Sequence, residues 1–271
     1  MAQNHYENFP VASVLLPSHL RRPVQLIYAF ARQADDFADE GSWPAQIRLA
    51  NLAGFTQQLD LIENGATPTS ALFVDLADSI RKFQLPIALF RDLLSAFSQD
   101  VVKTRYANFG EVMDYCTRSA NPVGRLLLHI YRATDPRSLA WSDNICSSLQ
   151  LINFWQDVEI DYRKNRIYLP ADEMAKFSVT ESQIANRDAS NNWRDLMLFQ
   201  IERTRRMLLA GAPLGRTLPG RVGLELRMIV MGGSRILEKL QACGGDVFRD
   251  RPELRSFDWM IMFLRALLGR R

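Results

Sequence analysis

Hydrophobic residues recur at intervals of three and four positions along almost the whole chain, and alternating apolar and polar runs are nearly absent. This spacing is typical of α-helices that bury one face. The first predicted helix begins after Pro17 and Ser18 and ends at Glu40. Further helices are predicted over 45–63, 70–83, 86–100, 109–132, 138–164, 190–210, 221–242 and 253–268, with one or two short helices within 171–189. The sequence therefore predicts an all-α protein.

Glycine, proline and asparagine separate these segments, and none of the breaks is long or polar enough to be an interdomain linker. No internal repeat has a fixed period. A chain of 271 residues with 47% hydrophobic content can bury a large core. We therefore expect one domain that spans residues 1–271.

Composition excludes several classes of function. The 33 basic and 30 acidic residues give a net charge of +3, which is too balanced for the basic surface of a nucleic-acid-binding protein. The three cysteines form no C-x-x-C pair and the three histidines have no zinc-ligand spacing. The chain shows neither a signal peptide nor an apolar run of 18 residues. These features predict a cytoplasmic protein that is soluble or peripheral to a membrane.

The helix that ends at Glu40 carries an acidic stripe. Asp35 and Asp39 lie one turn apart on one face, with Asp36 beside them and Arg32 one turn before Asp36. Like charges at this spacing repel each other, whereas a solvated face usually alternates lysine and glutamate. The pattern therefore indicates a site rather than an ordinary surface.

The segment 150–170 carries a second stripe. Gln150, Asn153, Asp157 and Asp161 fall within about 80° of one another on a helix that is apolar in most other directions. Buried like charges are costly unless a counter-charge compensates them. Mg²⁺ prefers oxygen ligands and usually takes one or two carboxylates, waters and phosphate oxygens. A single Asp-x-x-x-Asp is more often a solvated face, but two such pairs on apolar helices favour a metal clamp.

Basic residues follow the second stripe. Arg163, Lys164 and Arg166 are candidates for holding a phosphate group, as is Tyr168, and the planar guanidinium suits phosphate geometry. Arg163 and Lys164 have a second explanation, since cations also complement the negative C-terminal end of a helix.

Four segments together resemble the squalene and phytoene synthase family of head-to-head prenyl transferases. They are HYENFPVASVLLP (5–17), YAFARQADDFADE (28–40), YCTRSANPVG (115–124) and QLINFWQDVEIDYRKNRIYLP (150–170). The resemblance implies a helical bundle of the isoprenoid-synthase type, with two aspartate pairs facing each other across the mouth of a central apolar cavity. It implies an isoprenoid diphosphate substrate and two or three Mg²⁺ ions.

The resemblance also implies roles for individual residues. The expected metal ligands are Asp35, Asp36, Asp39, Asp157 and Asp161. The expected diphosphate-binding residues are Arg32, Arg163, Lys164, Arg166, Tyr168 and His5. Tyr115 would lie against the reacting chains, and Tyr115 or Asn153 would position a quenching water. Candidate cavity-lining aromatic residues are Phe9, Tyr28, Phe30, Tyr115 and Phe154.

Three departures from the family pattern bear on the reaction. Gln156 stands where most members carry arginine, Glu7 where some carry lysine, and Ile236 where a tyrosine is common. The first two remove a cation near the diphosphate region. The overall pattern is most similar to the hydroxysqualene synthase branch of bacterial hopanoid pathways, which ionises presqualene diphosphate and lets water capture the rearranged cation. No NADPH is expected for that reaction, and no G-x-G-x-x-G follows a strand.

Other functions stay open at this point. Within the same chemistry, the enzyme could make presqualene diphosphate, squalene or phytoene. A non-catalytic assembly factor of the same fold is a second alternative, although such a protein would be expected to lose the aspartates. A metal-dependent hydrolase is a third, which the lack of a histidine cluster disfavours.

The C-terminal segment 256–271 is amphipathic and ends in basic residues. It is either the last core helix or a helix that lies on a membrane surface, as would suit a very apolar product. Enzymes of the same pathway are further candidate partners.

Overall fold

The computed structural model describes residues 16–260 and 262. Over these residues the chain is helical, and its only β-type pairing is one isolated bridge between Arg105 and Ile167. The helices are α1 (Ser18–Asp39), α2 (Ala45–Glu63), α3 (Ala71–Phe83), α4 (Ile87–Val102), α5 (Phe109–Ser119), α6 (Asn121–Tyr131), α7 (Pro136–Gln156), α8 (Val158–Arg163), α9 (Ala171–Lys176), α10 (Glu181–Ala185), α11 (Asn191–Gly211), α12 (Leu214–Thr217) and α13 (Gly220–Ala242). The prediction of an all-α fold is confirmed.

Two predicted helices are each divided in the structure. The predicted helix 109–132 breaks at Ala120, because Pro122 in the first turn of α6 has no N–H to continue the preceding helix. The predicted helix 138–164 breaks at Asp157, whose φ of −103° and ψ of 13° are not helical. The predicted break between Gly211 and Gly220 contains the short helix α12. The expectation of a single continuous helix beneath the second acidic stripe is therefore wrong.

Arg48 fixes the end of α1. Its guanidinium donates to the carbonyl oxygens of Ala38 (2.6 Å), Gly41 (2.8 Å) and Trp43 (2.9 Å). Carbonyl groups at a helix C-terminus have no partner within the helix, so a cation that binds several of them stabilises the end. This contact holds the turn between α1 and α2, next to Asp39.

The buried residues form two clusters. One is built on α1 to α4 and includes Phe30, which is fully buried against Phe55, Phe73 and Phe90 at centroid distances of 5.1–5.7 Å. The other surrounds α7, α11 and α13. In it, the buried indole N–H of Trp155 donates to Thr204 Oγ1 at 2.9 Å and joins α7 to α11.

Helices α1 and α7 finish at the same end of the bundle, at Asp39 and Gln156. We call this end the open end. The segment after α13 also lies there, because Arg251 forms an ion pair with Asp157. No helix among the described residues is both long and apolar enough to cross a membrane.

The predicted helix 253–268 is described only in part. Residues 256–260 are helical, so the helix begins at Ser256 rather than at 253. Asp258 is buried and binds Arg235 and Lys239 of α13, which holds this segment on the bundle. Residues 261 and 263–271 lie outside the described part of the chain, as do residues 1–15 with His5, Glu7 and Phe9.

Candidate active site

The first aspartate group lies on the last two turns of α1. Arg32 Nη2 lies 2.8 Å from Asp36 Oδ1, and Arg32 Nη1 lies 3.9 Å from Asp35 Oδ2. Asp39 instead contacts the second motif, because its carboxylate oxygens lie 2.5 Å from Arg166 Nη1 and 3.0 Å from Lys164 Nζ. The two sequence motifs, more than 120 residues apart, therefore meet at the open end.

The second aspartate pair lies on both sides of the break after α7. The backbone N–H of Asp157 still donates to Asn153 O at 2.9 Å, and the N–H of Asp161 donates to Asp157 O at 2.8 Å. The turn thus continues through the break, and Asp161 follows Asp157 at nearly helical spacing. Gln150, Asn153 and Asp157 line one wall of a central cavity, and Asp35 lines the facing wall.

Burial and mutual repulsion raise the proton affinity of this acidic cleft. Burial raises the pKa of Asp161 to about 8, and repulsion from Asp157 and Asp39 adds to the effect. Burial and Asp39 raise the pKa of Asp35 to about 6, although Arg32 opposes them. For Asp39, burial acts to raise the pKa, but Arg166 and Lys164 together hold it below its usual value. The charge of Asp39 raises the pKa of both Asp35 and Asp161, so the two aspartate groups interact electrostatically across the cleft.

A buried carboxylate that the sequence analysis missed lies beneath the cleft. Asp100, at the end of α4, accepts hydrogen bonds from the hydroxyl groups of Tyr115 (2.6 Å) and Tyr168 (3.2 Å). Burial raises its pKa to about 7, although the bond from Tyr115 and the charge of Arg166 act to lower it. Arg166 also donates to the carbonyl oxygen of Asp100 at 3.0 Å. A single acid on an apolar helix gives no motif by itself, so sequence reasoning had no signal for it.

The central cavity has a volume of about 630 Å³. At the open end it is lined by Asp35, Asn153, Asp157 and Arg251, and at the far end by apolar residues such as Leu214. Asn153 is exposed, so the cavity opens to solvent among the aspartates. The expected apolar cavity with polar groups at its mouth is therefore present.

The aromatic residues expected along the cavity are distributed differently. Tyr28 lines it, whereas Phe30, Tyr115 and Phe154 lie in the packed core outside its lining. The hydroxyl group of Tyr115 donates a hydrogen bond to Asp100, and Phe154 stacks on Tyr168 with a centroid distance of 3.7 Å. Among the described candidates only Tyr28 therefore lines the cavity, whereas Tyr115 and Phe154 pack around Asp100 and Tyr168.

Close packing of α6 on α7 shapes the cavity wall. A Cβ added to Gly124, in the SANPVG segment, would collide with the side chains of Ser142 and Cys146. Ser147 Oγ donates to Asn121 Oδ1 at 2.8 Å and fixes the same contact. Gly124 is required because only a hydrogen fits between the helices.

The predicted phosphate-binding residues do not all face the cleft. Lys164 and Arg166 lie on Asp39, whereas Arg163 forms an ion pair with Glu159 on the outer face and is 66% exposed. Tyr168 is buried behind the cleft. The structure therefore brings Arg32, Lys164 and Arg166 together and leaves Arg163 apart.

Two contacts from the C-terminal segment were not predicted. Arg251 binds both carboxylate oxygens of Asp157, at 2.5 and 3.0 Å. Gln156 is buried, and its Nε2 donates to Pro252 O at 2.5 Å. Gln156 thus anchors the segment that supplies Arg251 to the cleft.

The chemistry of the aspartates fits a Mg²⁺ ion that takes most of its ligands from outside the protein. Within residues 16–260 and 262, no three His, Cys, Asp or Glu side chains lie close enough to hold one ion by themselves. Mg²⁺ commonly takes only one or two carboxylates and fills its octahedron with water and phosphate oxygens. Asp35 and Asp161, whose raised pKa values reflect crowded negative charge, are suited to bind such a cation.

The overall architecture is that of the all-helical isoprenoid synthases. The crystal structure of the squalene synthase HpnC from Alicyclobacillus acidocaldarius superimposes with a TM-score of 0.82 at 33% identity, covering 89% of this chain and 90% of that one.

Residues 2–258 match the sequence model of the squalene/phytoene synthase family, and the chain belongs to this family. A hydroxysqualene synthase from Zymomonas mobilis is 35% identical over 88% of this chain and 78% of its own length. A phytoene synthase from Arthrospira platensis is 29% identical over 98% of this chain and 89% of its own length. The relatives therefore divide between two reactions.

Proposed function

We propose that this protein is a Mg²⁺-dependent enzyme that converts presqualene diphosphate and water to hydroxysqualene and diphosphate. The observation that carries the proposal is that Asp35 and Asp157, one from each aspartate pair, line the mouth of a large apolar cavity, while Asp39 and Asp161 interact electrostatically beside them. The cavity accommodates hydrocarbon, and the polar mouth accommodates the diphosphate. We expect the protein to act in the cytoplasm.

Asp35, Asp39, Asp157 and Asp161 would hold the metal, with Asp36 kept in place by Arg32. Bound Mg²⁺ would neutralise charge on the diphosphate as the C–O bond breaks. Arg32, Lys164, Arg166 and Arg251 are the cations that the fold brings to the cleft. In the structure each of these four cations forms an ion pair with an aspartate. When Mg²⁺ and substrate bind, the metal would replace the cations at the aspartates, and the diphosphate would replace the aspartates at the cations.

The reaction balances without a reductant. The C–O bond breaks and its electron pair leaves with diphosphate. The cyclopropylcarbinyl cation rearranges by a carbon–carbon shift to a second cyclopropylcarbinyl cation, and cleavage of one ring bond then gives a double bond and an allylic cation. A water oxygen bonds to this allylic cation, and one proton is released. The apolar cavity wall would limit the access of bulk water, and Asn153, which lines the mouth, would orient the single reacting water.

Gln156 distinguishes this site from the usual family pattern. The buried amide adds no charge and anchors Pro252, which keeps Arg251 on Asp157. We infer that cationic charge in this position comes from the C-terminal segment rather than from α7. The similarity to a hydroxysqualene synthase at 35% identity supports the same reaction.

Phytoene synthesis is the second candidate, because the phytoene synthase from Arthrospira platensis aligns with 98% of this chain. Presqualene diphosphate and squalene synthesis use the same kind of site. A non-catalytic role is disfavoured by the retention of all four aspartates, which interact electrostatically with one another.

Product identification by mass spectrometry separates these reactions. The enzyme is incubated with Mg²⁺ and, separately, presqualene diphosphate, farnesyl diphosphate or geranylgeranyl diphosphate, each with and without NADPH. Hydroxysqualene from presqualene diphosphate without NADPH supports the proposal, and one ¹⁸O atom from labelled water should enter the product. Phytoene from geranylgeranyl diphosphate, or squalene only with NADPH, would assign one of the other reactions.

A further inference from the structure

Two acidic residues in the described part of the chain are buried, Asp100 and Asp258. Burial acts to raise the pKa of Asp258, but hydrogen bonds from Lys239 and Arg235 hold its value at about 2. Burial raises the pKa of Asp100 to about 7, although the hydrogen bond from Tyr115 opposes the shift. Asp100 also lies in the last turn of α4, where the negative end of the helix disfavours a carboxylate. An acid retained at this electrostatic cost beside a cleft is a candidate for a functional role.

Asp100 joins three segments that meet beneath the cleft. Tyr115 on α5 donates to one of its carboxylate oxygens at 2.6 Å, and Tyr168, after α8, donates to the other at 3.2 Å. The ring of Tyr106 stacks on that of Tyr168 with a centroid distance of 5.4 Å. Because this packing restricts the Tyr168 ring, the carboxylate of Asp100 fixes the position of the chain at Tyr168.

The segment that carries Tyr168 also carries Arg166, and it pairs with the chain after α4. The N–H of Ile167 donates to Thr104 O at 3.0 Å, next to the isolated bridge between Ile167 and Arg105. Residues two positions apart in a strand-like segment point to the same side. Arg166 and Tyr168 accordingly both contact Asp100.

Arg166 links Asp100 to the aspartate cleft. Its Nη1 lies 2.5 Å from Asp39 Oδ1, and its Nη2 donates to the carbonyl oxygen of Asp100 at 3.0 Å. Burial raises the pKa of Asp100 and the charge of Arg166 opposes this shift, so the two side chains also interact through their charges. When Mg²⁺ takes Asp39, Asp100 would remain as an acidic partner of Arg166. The guanidinium would then keep its place, with the nitrogen that Asp39 releases available to an anion.

We propose that Asp100 is a positioning residue, which holds the Arg166 guanidinium in the cleft so that it binds the diphosphate group. This inference rests on the proposed function, since it requires a diphosphate in the cleft. It does not depend on which isoprenoid the diphosphate carries, because Asp100 lines the polar depression beside Asp39 and not the apolar cavity. In this role Asp100 acts through Arg166 and contacts neither substrate nor metal.

Isothermal titration calorimetry of the full chain with inorganic diphosphate and Mg²⁺ tests this role. We expect Asp100→Asn to weaken diphosphate binding about tenfold, because the amide lacks the charge and one of the two acceptors. Tyr168→Phe keeps the ring but removes one hydrogen bond to Asp100, and it should weaken binding about threefold. The control Asp143→Asn removes a carboxylate that binds Arg125 at 2.6 and 2.9 Å, about 20 Å along α7 from Asp157. This variant should bind diphosphate as the wild type does.

A double-mutant cycle with Arg166→Met separates positioning from general destabilisation. Asp100→Asn and Tyr168→Phe should have no further effect on diphosphate binding once Arg166→Met is present, because both act through the guanidinium. Circular dichroism and thermal melts verify folding, and Tyr168→Phe completes the cycle if Asp100→Asn does not fold. Equal losses with and without Arg166 would show a purely structural role and overturn the inference. Unchanged binding in a folded Asp100→Asn variant, or no diphosphate binding to wild type, would overturn it as well.

The outcomes separate this inference from the proposed reaction. A wild-type enzyme that makes phytoene from geranylgeranyl diphosphate, and whose Asp100 and Arg166 variants are coupled in the cycle, would change the reaction and support the positioning role. Hydroxysqualene formation together with independent effects of the two variants would support the reaction and overturn the positioning role.

Discussion

At the scale of single residues, the site depends on carboxylates that the fold forces together. Asp161 has a pKa of about 8 because burial and Asp157 both disfavour its charge. A metal-free cleft of this kind holds protons at neutral pH, and a divalent cation would displace them. The crowded negative charge therefore gives the cleft an electrostatic preference for a cation.

Replacing Asp161 by Asn should remove this preference. We expect turnover at saturating substrate to fall on the order of 100-fold or more, because charge stabilisation at the leaving group is lost. The exposed residue Asp195 on α11 gives the control Asp195→Asn, which should keep wild-type turnover. Steady-state kinetics with circular dichroism checks both. Undiminished turnover in a folded Asp161→Asn variant would remove Asp161 from the metal clamp.

At the scale of helices, close packing of α6 on α7 forms the cavity wall. Gly124→Ala should destabilise the protein by about 1–3 kcal/mol, because the added methyl group has no space beside Ser142 and Cys146. Gly54 lies within α2 with nothing within 4 Å of an added Cβ. Gly54→Ala should therefore stabilise by about 0.5–1 kcal/mol, as alanine favours helix. Urea unfolding of the two variants measures both effects, and equal changes would contradict the packing argument.

The turn between α1 and α2 depends on Arg48. Arg48→Met removes the donors that bind the carbonyl oxygens of Ala38, Gly41 and Trp43. We expect a loss of about 1–3 kcal/mol in unfolding free energy and a higher Mg²⁺ concentration for half-maximal activity, since Asp39 follows Ala38 directly. Arg81→Met, at a side chain that is 70% exposed, should change stability by less than about 0.5 kcal/mol. An unchanged Mg²⁺ requirement in Arg48→Met would mean that the turn does not position Asp39.

At the scale of the whole molecule, stability should depend on pH in a direction set by Asp100 and Asp161. Their folded pKa values of about 7 and about 8 exceed the ordinary carboxyl value, so the folded state binds more protons between roughly pH 4 and pH 8. The stability of the metal-free protein should therefore fall as pH rises through this window. Mg²⁺ should restore stability, and more so at higher pH, because its binding displaces protons.

Calorimetric melts at pH 5.5, 7.0 and 8.5, with EDTA or with Mg²⁺, test this dependence. We expect the Tm difference between the Mg²⁺ and EDTA samples to grow with pH by about a few degrees. Asp161→Asn should flatten that increase. A Mg²⁺ effect that is constant over the range would show that proton release from the cleft does not accompany metal binding.

The sequence by itself determined the helical class, most helix positions and the spacing of both acidic motifs. These properties are local, because the 3.6-residue period and the turn-forming residues act over a few positions. It did not locate the break at Asp157, which keeps nearly helical hydrogen bonds on both sides. The placement of Arg32 beside Asp36 also followed from helical spacing alone.

Only the tertiary structure decided which distant groups meet. Asp100 lies below Tyr115 and Tyr168, Arg251 reaches Asp157 across 94 positions, and Arg166 rather than Arg163 turns toward Asp39. Such contacts depend on how helices pack and where connecting segments cross, and neither is encoded in the spacing of any one segment. The chemistry of the cleft comes from local motifs, whereas its charge balance comes from partners that packing supplies.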